Sequence, residues 1–112
     1  MRKKKDICLS SFLREEAIIN RREVDLSNKG ITVIDEISPF LCSEIESLNL
    51  SNNRIVAVKN LSQFTALKEL DISSNKIVDC NELICLRAMV NLKKIFFSYN
   101  PFLSEPIGEY LL

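Results

Sequence analysis

Apolar and polar residues follow the same order in four stretches of the chain, and these stretches recur at nearly constant spacing. They read "RREVDLSNKGITVI" from Arg21, "IESLNLSNNRIVAV" from Ile45, "LKELDISSNKIVDC" from Leu67 and "LKKIFFSYNPF" from Leu92. Their starts lie 24, 22 and 25 residues apart along the sequence. A period in the low twenties indicates a repeat protein, in which each unit packs mainly on its neighbours.

Each unit opens with a short segment in which every second residue is apolar, and this pattern predicts a β-strand. In the second unit Leu48 and Leu50 point to one side of the strand while Asn49 points to the other. Because the pattern recurs in every unit, the apolar residues predict a shared core. The polar residues predict one continuous open face.

An asparagine follows the strand in three units, as Asn53, Asn75 and Asn100. The chain must bend there, so its backbone groups lose their partners in the sheet, and an amide side chain can bond both donors and acceptors. The first unit has Lys29 at this position, so the predicted asparagine ladder begins only at the second unit.

Between the strands the apolar spacing becomes helical, in "ISPFLCSEI", "NLSQFTALKEL" and "NELICLRAMVNL". Asn60 and Asn81 are the predicted caps of the second and third segments. The residues predicted to face the core are Ile37, Phe40, Leu41, Ile45, Leu61, Phe64, Leu67, Leu83, Leu86, Val90 and Leu92.

The stretch "DICLSSFLREEAIIN" carries apolar residues at helical offsets before the first strand. They are Ile7, Cys8, Phe12, Leu13, Ala17 and Ile18. We therefore expect residues 1–20 to form a tail and a capping helix that covers the open end of the core. About four repeats then occupy residues 21–100, and an incomplete C-terminal cap occupies residues 101–112.

The pattern LxxLxLxxNxIxxI resembles intracellular leucine-rich-repeat proteins of the short, 22-residue subclass. That subclass includes regulators of protein phosphatase one, the A-prime protein of a spliceosomal snRNP and cilia-associated proteins. The resemblance covers about residues 21–110. It implies an α/β solenoid with a short parallel sheet on the concave face, helices or 3₁₀ segments on the convex face, and an N-terminal helical cap.

Two segments carry a narrower resemblance. "NRREVDLSNKGITVIDEI" is similar to the entry strand of the A-prime protein, and "ELICLRAMVNLKKIFFSYNPF" is similar to the last repeat of cilia-associated and A-prime-like members. In those relatives the cap continues past the tyrosine that Tyr110 matches. We therefore expect either a fragment of a longer protein, which is the preferred interpretation, or a stack that ends early.

Composition argues for a binding module and against an enzyme. The chain has no histidine, and its four cysteines lack CxxC spacing, so the ligands of the common zinc sites are missing. A serine or cysteine nucleophile would also have no histidine to act as its base. We expect no catalytic residue, cofactor or metal. An Asp25 and Asp71 carboxylate pair would stand two repeats apart on an open face, which is a poor arrangement for catalysis.

The aromatic stretch "NLKKIFFSYNPF" divides between the two faces of the fourth strand. In the repeat register, Leu92, Ile95, Phe97 and Phe102 are core residues, whereas Phe96 and Tyr99 face outward on the concave side. Aromatic anchors beside adaptable polar groups are typical of protein-binding surfaces. The predicted partner-binding residues are Phe96, Tyr99, Lys94, Asp71, Glu69, Asn49 and Asp25.

The resemblance implies a non-catalytic module that binds a protein partner on its concave face. The alternative is an RNA-processing component, similar to the A-prime protein, that acts through an RNA-binding protein partner. Fifteen basic residues balance fifteen acidic ones, so no direct nucleic-acid binding is expected. We further expect a monomer without a membrane span, located inside the cell in the cytoplasm, nucleus or cilium.

Overall fold

The strands of the structure, a computed structural model, form one sheet in sequence order. The structure describes residues 5–14, 20, 22–103 and 110–111. The first four strands run parallel, and the fifth runs antiparallel to the fourth. The strands are β1 (Glu23–Asp25), β2 (Ser47–Asn49), β3 (Glu69–Asp71), β4 (Lys94–Phe96) and β5 (Tyr110–Leu111).

The register of the sheet follows the sequence repeat. Val24 pairs with Leu48, Leu48 with Leu70, and Leu70 with Ile95, so residues at the same position of each unit lie side by side. All four are buried in a core that also contains Phe64, the largest fully buried side chain. The predicted parallel sheet and its inward residues are confirmed.

Short helical segments connect the strands on the core side. They are the α-helix α1 (Pro39–Cys42) and the 3₁₀ helices Lys59–Gln63 and Cys80–Ala88. A 3₁₀ helix repeats every three residues, so Leu86 and Met89 are buried while Val90 is 89% exposed. The expectation that Val90 is buried was wrong. Phe40 is also exposed, because the four-residue helix α1 buries Leu41 and Cys42 and leaves Phe40 on its outer side.

Both predicted helix caps were wrong. Asp79 caps the helix Cys80–Ala88, and its side chain accepts a hydrogen bond from the Asn81 backbone N–H at 2.9 Å. Asn60 lies within Lys59–Gln63 and donates its side-chain N–H to the Ile34 carbonyl at 2.8 Å. The Asn60 amide thus links two neighbouring units, a role that local sequence cannot reveal.

Residues 5–14 do not form the predicted capping helix. They contain one 3₁₀ turn, Leu9–Ser11, and a parallel bridge between Cys8 and Val33. The Leu9 N–H donates to the Val33 carbonyl at 2.9 Å, while the backbone and hydroxyl of Ser10 both donate to the carboxylate of Asp35. These bonds to the first unit replace helical ones. Ala17 and Ile18 lie outside the described residues.

The buried asparagines form the predicted ladder. Asn75 accepts the Ile55 N–H at 3.0 Å and donates to the carbonyls of Leu50, Ile72 and Ser73 at 3.0, 3.0 and 3.2 Å. Asn53 and Asn100 make equivalent bonds in their own units. Among the described residues, every buried polar side-chain atom has a hydrogen-bond partner.

We expect Asn75→Ala to lower the free energy of unfolding by about 3 kcal/mol or more, because it leaves several buried backbone groups without partners. Urea unfolding followed by circular dichroism measures this loss. Asn81→Ala is the matched control and should change stability by less than about 0.5 kcal/mol, since Asn81 is exposed and its backbone makes the cap bond. Equal losses from the two variants would contradict the ladder.

Candidate functional site

The open sheet face is the side of β1–β4 that points away from the core, together with the loop residues that follow each strand. Asp25, Asn49, Asp71 and Phe96 are neighbours across the four strands, and Glu69 pairs with Lys94. Tyr99 lies in the loop after β4 and is 67% exposed, while Phe96 is half-buried. The structure thus brings all seven predicted residues to one face.

An ion-pair cluster stands at one edge of this face. Glu46 contacts Lys68 at 2.6 Å (Nζ to Oε1) and Arg22 at 3.6 Å (Nε to Oε2). The hydrogen bond from Lys68, and then its charge, lowers the pKa of Glu46. The sequence pattern did not predict this pairing. Among the described residues, Arg22 and Lys68 form ion pairs with Glu46 and not with a carboxylate of β1 or β3.

The polar residues that end the strands also hold the following turn. Asp71 Oδ1 accepts the Ser73 backbone N–H at 2.9 Å and its hydroxyl at 2.6 Å, and Asp25 binds Ser27 in the same way at 3.0 and 2.7 Å. In β2, Asn49 Oδ1 accepts the Ser51 N–H at 2.9 Å. Asn49 thus makes the backbone bond that both aspartates make, so this bond does not require a negative charge.

The residue before each ladder position has a left-handed backbone. The φ angles of Asn28, Asn52, Ser74 and Tyr99 are 57°, 56°, 53° and 57°. Asparagine tolerates this conformation, whereas a bulky side chain is strained in it. The Tyr99 ring is therefore presented to solvent from an unfavourable backbone, which is the kind of strain that clusters at functional sites.

A hollow of about 170 Å³ lies in the middle of the open sheet face. Glu69 and Asp71 line it from β3, and the ring of Phe96 lines it from β4. The Lys94 ammonium lies 4.8 Å from the centre of the same ring, within cation–π range. The remaining lining residues are Ser47, Leu48, Asn49 and Leu70.

The described residues offer little for catalysis or metal binding. Burial raises the pKa of the Cys42 thiol to about 11 and also raises the pKa of Cys85, so both stay protonated at neutral pH. Within the described ranges, no group of three or more candidate ligands could hold a metal ion. No helix in that part of the chain is long and apolar enough to cross a membrane.

Comparison with known families supports the repeat assignment. Residues 43–85 match the family model described as Leucine Rich repeats (2 copies). This range contains β2, β3 and the ladder residues Asn53 and Asn75. A comparison with curated proteins found no match.

We expect Tyr99→Asn to raise the free energy of unfolding by about 0.5–1 kcal/mol, because asparagine adopts the left-handed backbone at lower cost and the exposed ring loses little packing. Urea unfolding measures the change. Asn52→Tyr, the reverse exchange at the same position of the second unit, should destabilise. A lower stability for Tyr99→Asn would show that the ring packs in the fold and would contradict its assignment as an exposed anchor.

The pKa of Asp25 is lowered below its ordinary value of 3.8, first by the Ser27 backbone N–H and then by the Ser27 hydroxyl. A lowered pKa means that this carboxylate favours the folded state above the unfolded pKa and loses that contribution as pH falls through the folded pKa. Ser27→Ala should raise the pKa towards 3.8 by removing the second bond. Carboxyl NMR titration measures it, and an unchanged pKa would contradict the assigned contact.

Proposed function

Since this chain is a leucine-rich-repeat protein, we propose that it is a non-catalytic protein-interaction module whose open sheet face, the predicted concave face, binds a protein partner. Proteins with such repeats commonly mediate protein–protein interactions. Phe96 and Tyr99 are the proposed anchors. The remaining proposed contacts are Lys94, Asp71, Glu69, Asn49 and Asp25.

The observation that carries this proposal is the conformation of Tyr99. A large ring stands 67% exposed on a backbone that favours asparagine, beside the half-buried ring of Phe96. Neither packing nor backbone preference explains a tyrosine at this position. Aromatic side chains that lose little conformational entropy on contact are the usual anchors of protein interfaces.

The surroundings of the two rings also favour a protein partner. The second position after the strand is a serine in each unit, so small side chains recur there along the face: Ser27, Ser51, Ser73 and Ser98. The open sheet face carries both carboxylates and lysines, which allows directional polar contacts around the aromatic anchors. No observation on this face favours the RNA-processing alternative, which stays a prediction from resemblance.

The test compares partner binding by Phe96→Ala and Tyr99→Asn with the unaltered chain. The partner is first captured by photo-crosslinking from a residue introduced at Asn52, on the open sheet face, and identified by mass spectrometry. Its affinity is then measured by calorimetry. Each variant should weaken binding by more than about 1 kcal/mol, about fivefold, because each removes an aromatic anchor.

Val90→Ser is the matched control, since Val90 is an exposed apolar residue in the connection before β4 and not on the open sheet face. Its binding should equal that of the unaltered chain. Tyr99→Asn is expected to fold more stably than the unaltered chain, so a loss of binding cannot be attributed to unfolding. Unchanged affinity in the Phe96→Ala, Tyr99→Asn double variant would refute the proposed face.

A further inference from the structure

The hollow between β2 and β4 indicates which partner chemistry this face accepts. We propose that it binds a lysine or arginine side chain of the protein partner, with Glu69 and Asp71 as counter-charges and Phe96 as an aromatic wall. This inference rests on the proposed function, because it concerns the same face. It adds the class of partner, a segment with basic residues, which the family match does not provide.

The charges of the open sheet face support a basic occupant. In the described part of the chain, the Glu69 carboxylate makes no hydrogen bond or ion pair, and only Oδ1 of Asp71 is engaged, by Ser73. A guanidinium or ammonium would find two carboxylates there that form no ion pair with Arg22 or Lys68. The neighbouring cations Arg22 and Lys68 are held by Glu46 at the edge.

The shape of the hollow fits a long side chain with a charged end. Its volume of about 170 Å³ is small, and its apolar surface is the ring of Phe96, because the side chains of Leu48 and Leu70 are buried in the core. Lysine and arginine pack their methylene stems on apolar surface while the charged end stays among polar groups. Lys94 places its own ammonium 4.8 Å from the centre of the Phe96 ring. Lys94 itself does not line the hollow.

A second pair of carboxylates, on β1, indicates how far apart two basic residues of the partner segment would lie. Glu23 and Asp25 occupy on β1 the same positions as Glu69 and Asp71 on β3, with the uncharged β2 between them. Strands are about 4.8 Å apart, so the two carboxylate pairs lie roughly 10 Å apart. In a polyproline II segment, residues i and i+3 project from one side about 9 Å apart. A partner segment of this form would engage both pairs.

The probe for the test is the peptide acetyl-Lys-Pro-Pro-Lys-amide, with acetyl-Glu-Pro-Pro-Glu-amide as the charge-reversed control. The full chain, labelled with ¹⁵N, is titrated with each peptide and the dissociation constant is obtained from amide shifts. The lysine peptide should shift the amides of residues 47–49, 69–71 and 94–96. Equal affinity for the glutamate peptide, or shifts confined to the connections between strands, would overturn the proposal.

Asp25→Asn together with Asp71→Asn removes charge and keeps the turns, because Asn49 makes the equivalent bond in β2. This variant should keep its fold by circular dichroism, with a small loss of stability from the Asp25 carboxylate, and lose at least fivefold in affinity for the lysine peptide. Glu69→Gln should also weaken binding, since it removes one of the two counter-charges that line the hollow. Unchanged affinity in both variants would overturn the assignment of these carboxylates.

The two proposals fail in different ways. Suppose that Phe96→Ala and Tyr99→Asn weaken capture of the protein partner while the aspartate-to-asparagine variant does not. Then the open sheet face binds the partner, and the proposal that the partner segment is basic is wrong. If none of these variants changes capture of the partner, the proposed function itself is wrong. Loss of binding in all of them supports both proposals.

Discussion

The buried asparagine after each strand is the constraint on which the rest of this structure depends. Its amide bonds the backbone of its own unit and of the unit before it, so it closes the turn and joins two repeats at once. Backbone groups buried at such a bend would otherwise remain without partners, at a cost of about 1–3 kcal/mol each. Because the ladder holds every unit in the same register, the outward residues of successive strands align in rows.

In these rows, some side chains of the open sheet face bond the turns of the fold and others are available to a partner. Asp25, Asn49 and Asp71 close local turns through one side-chain oxygen, whichever charge they carry. The negative charge of the two aspartates therefore exceeds what this backbone bond needs. The same is true of Tyr99, whose backbone position suits asparagine better. Because the turns do not explain the aspartate charges or the tyrosine, we connect both features with partner binding.

The sequence predicted the features that depend on the repeat and missed those that depend on contacts between units. Alignment of the chain with itself identified the four parallel strands, the buried asparagines and the outward position of Tyr99, but not the antiparallel strand β5. It could not predict that Ser10 bonds Asp35 and that the N-terminal segment forms a bridge in place of a helix. Val90 was misplaced because the long helical segment repeats every three residues. The bridge from Glu46 to Lys68 joins residues that are 22 positions apart.

Carboxyl footprinting of the chain with and without its captured partner tests whether the open sheet face is the binding face. Carbodiimide coupling to glycine ethyl ester labels exposed carboxylates, and mass spectrometry quantifies each site. Binding to the open sheet face predicts that Glu23 and Glu69 lose most of their reactivity in the complex. Glu36 and Asp79, which are exposed in the connections between strands, should keep theirs. Protection of Glu36 and Asp79 with unchanged labelling of Glu23 and Glu69 would contradict the account.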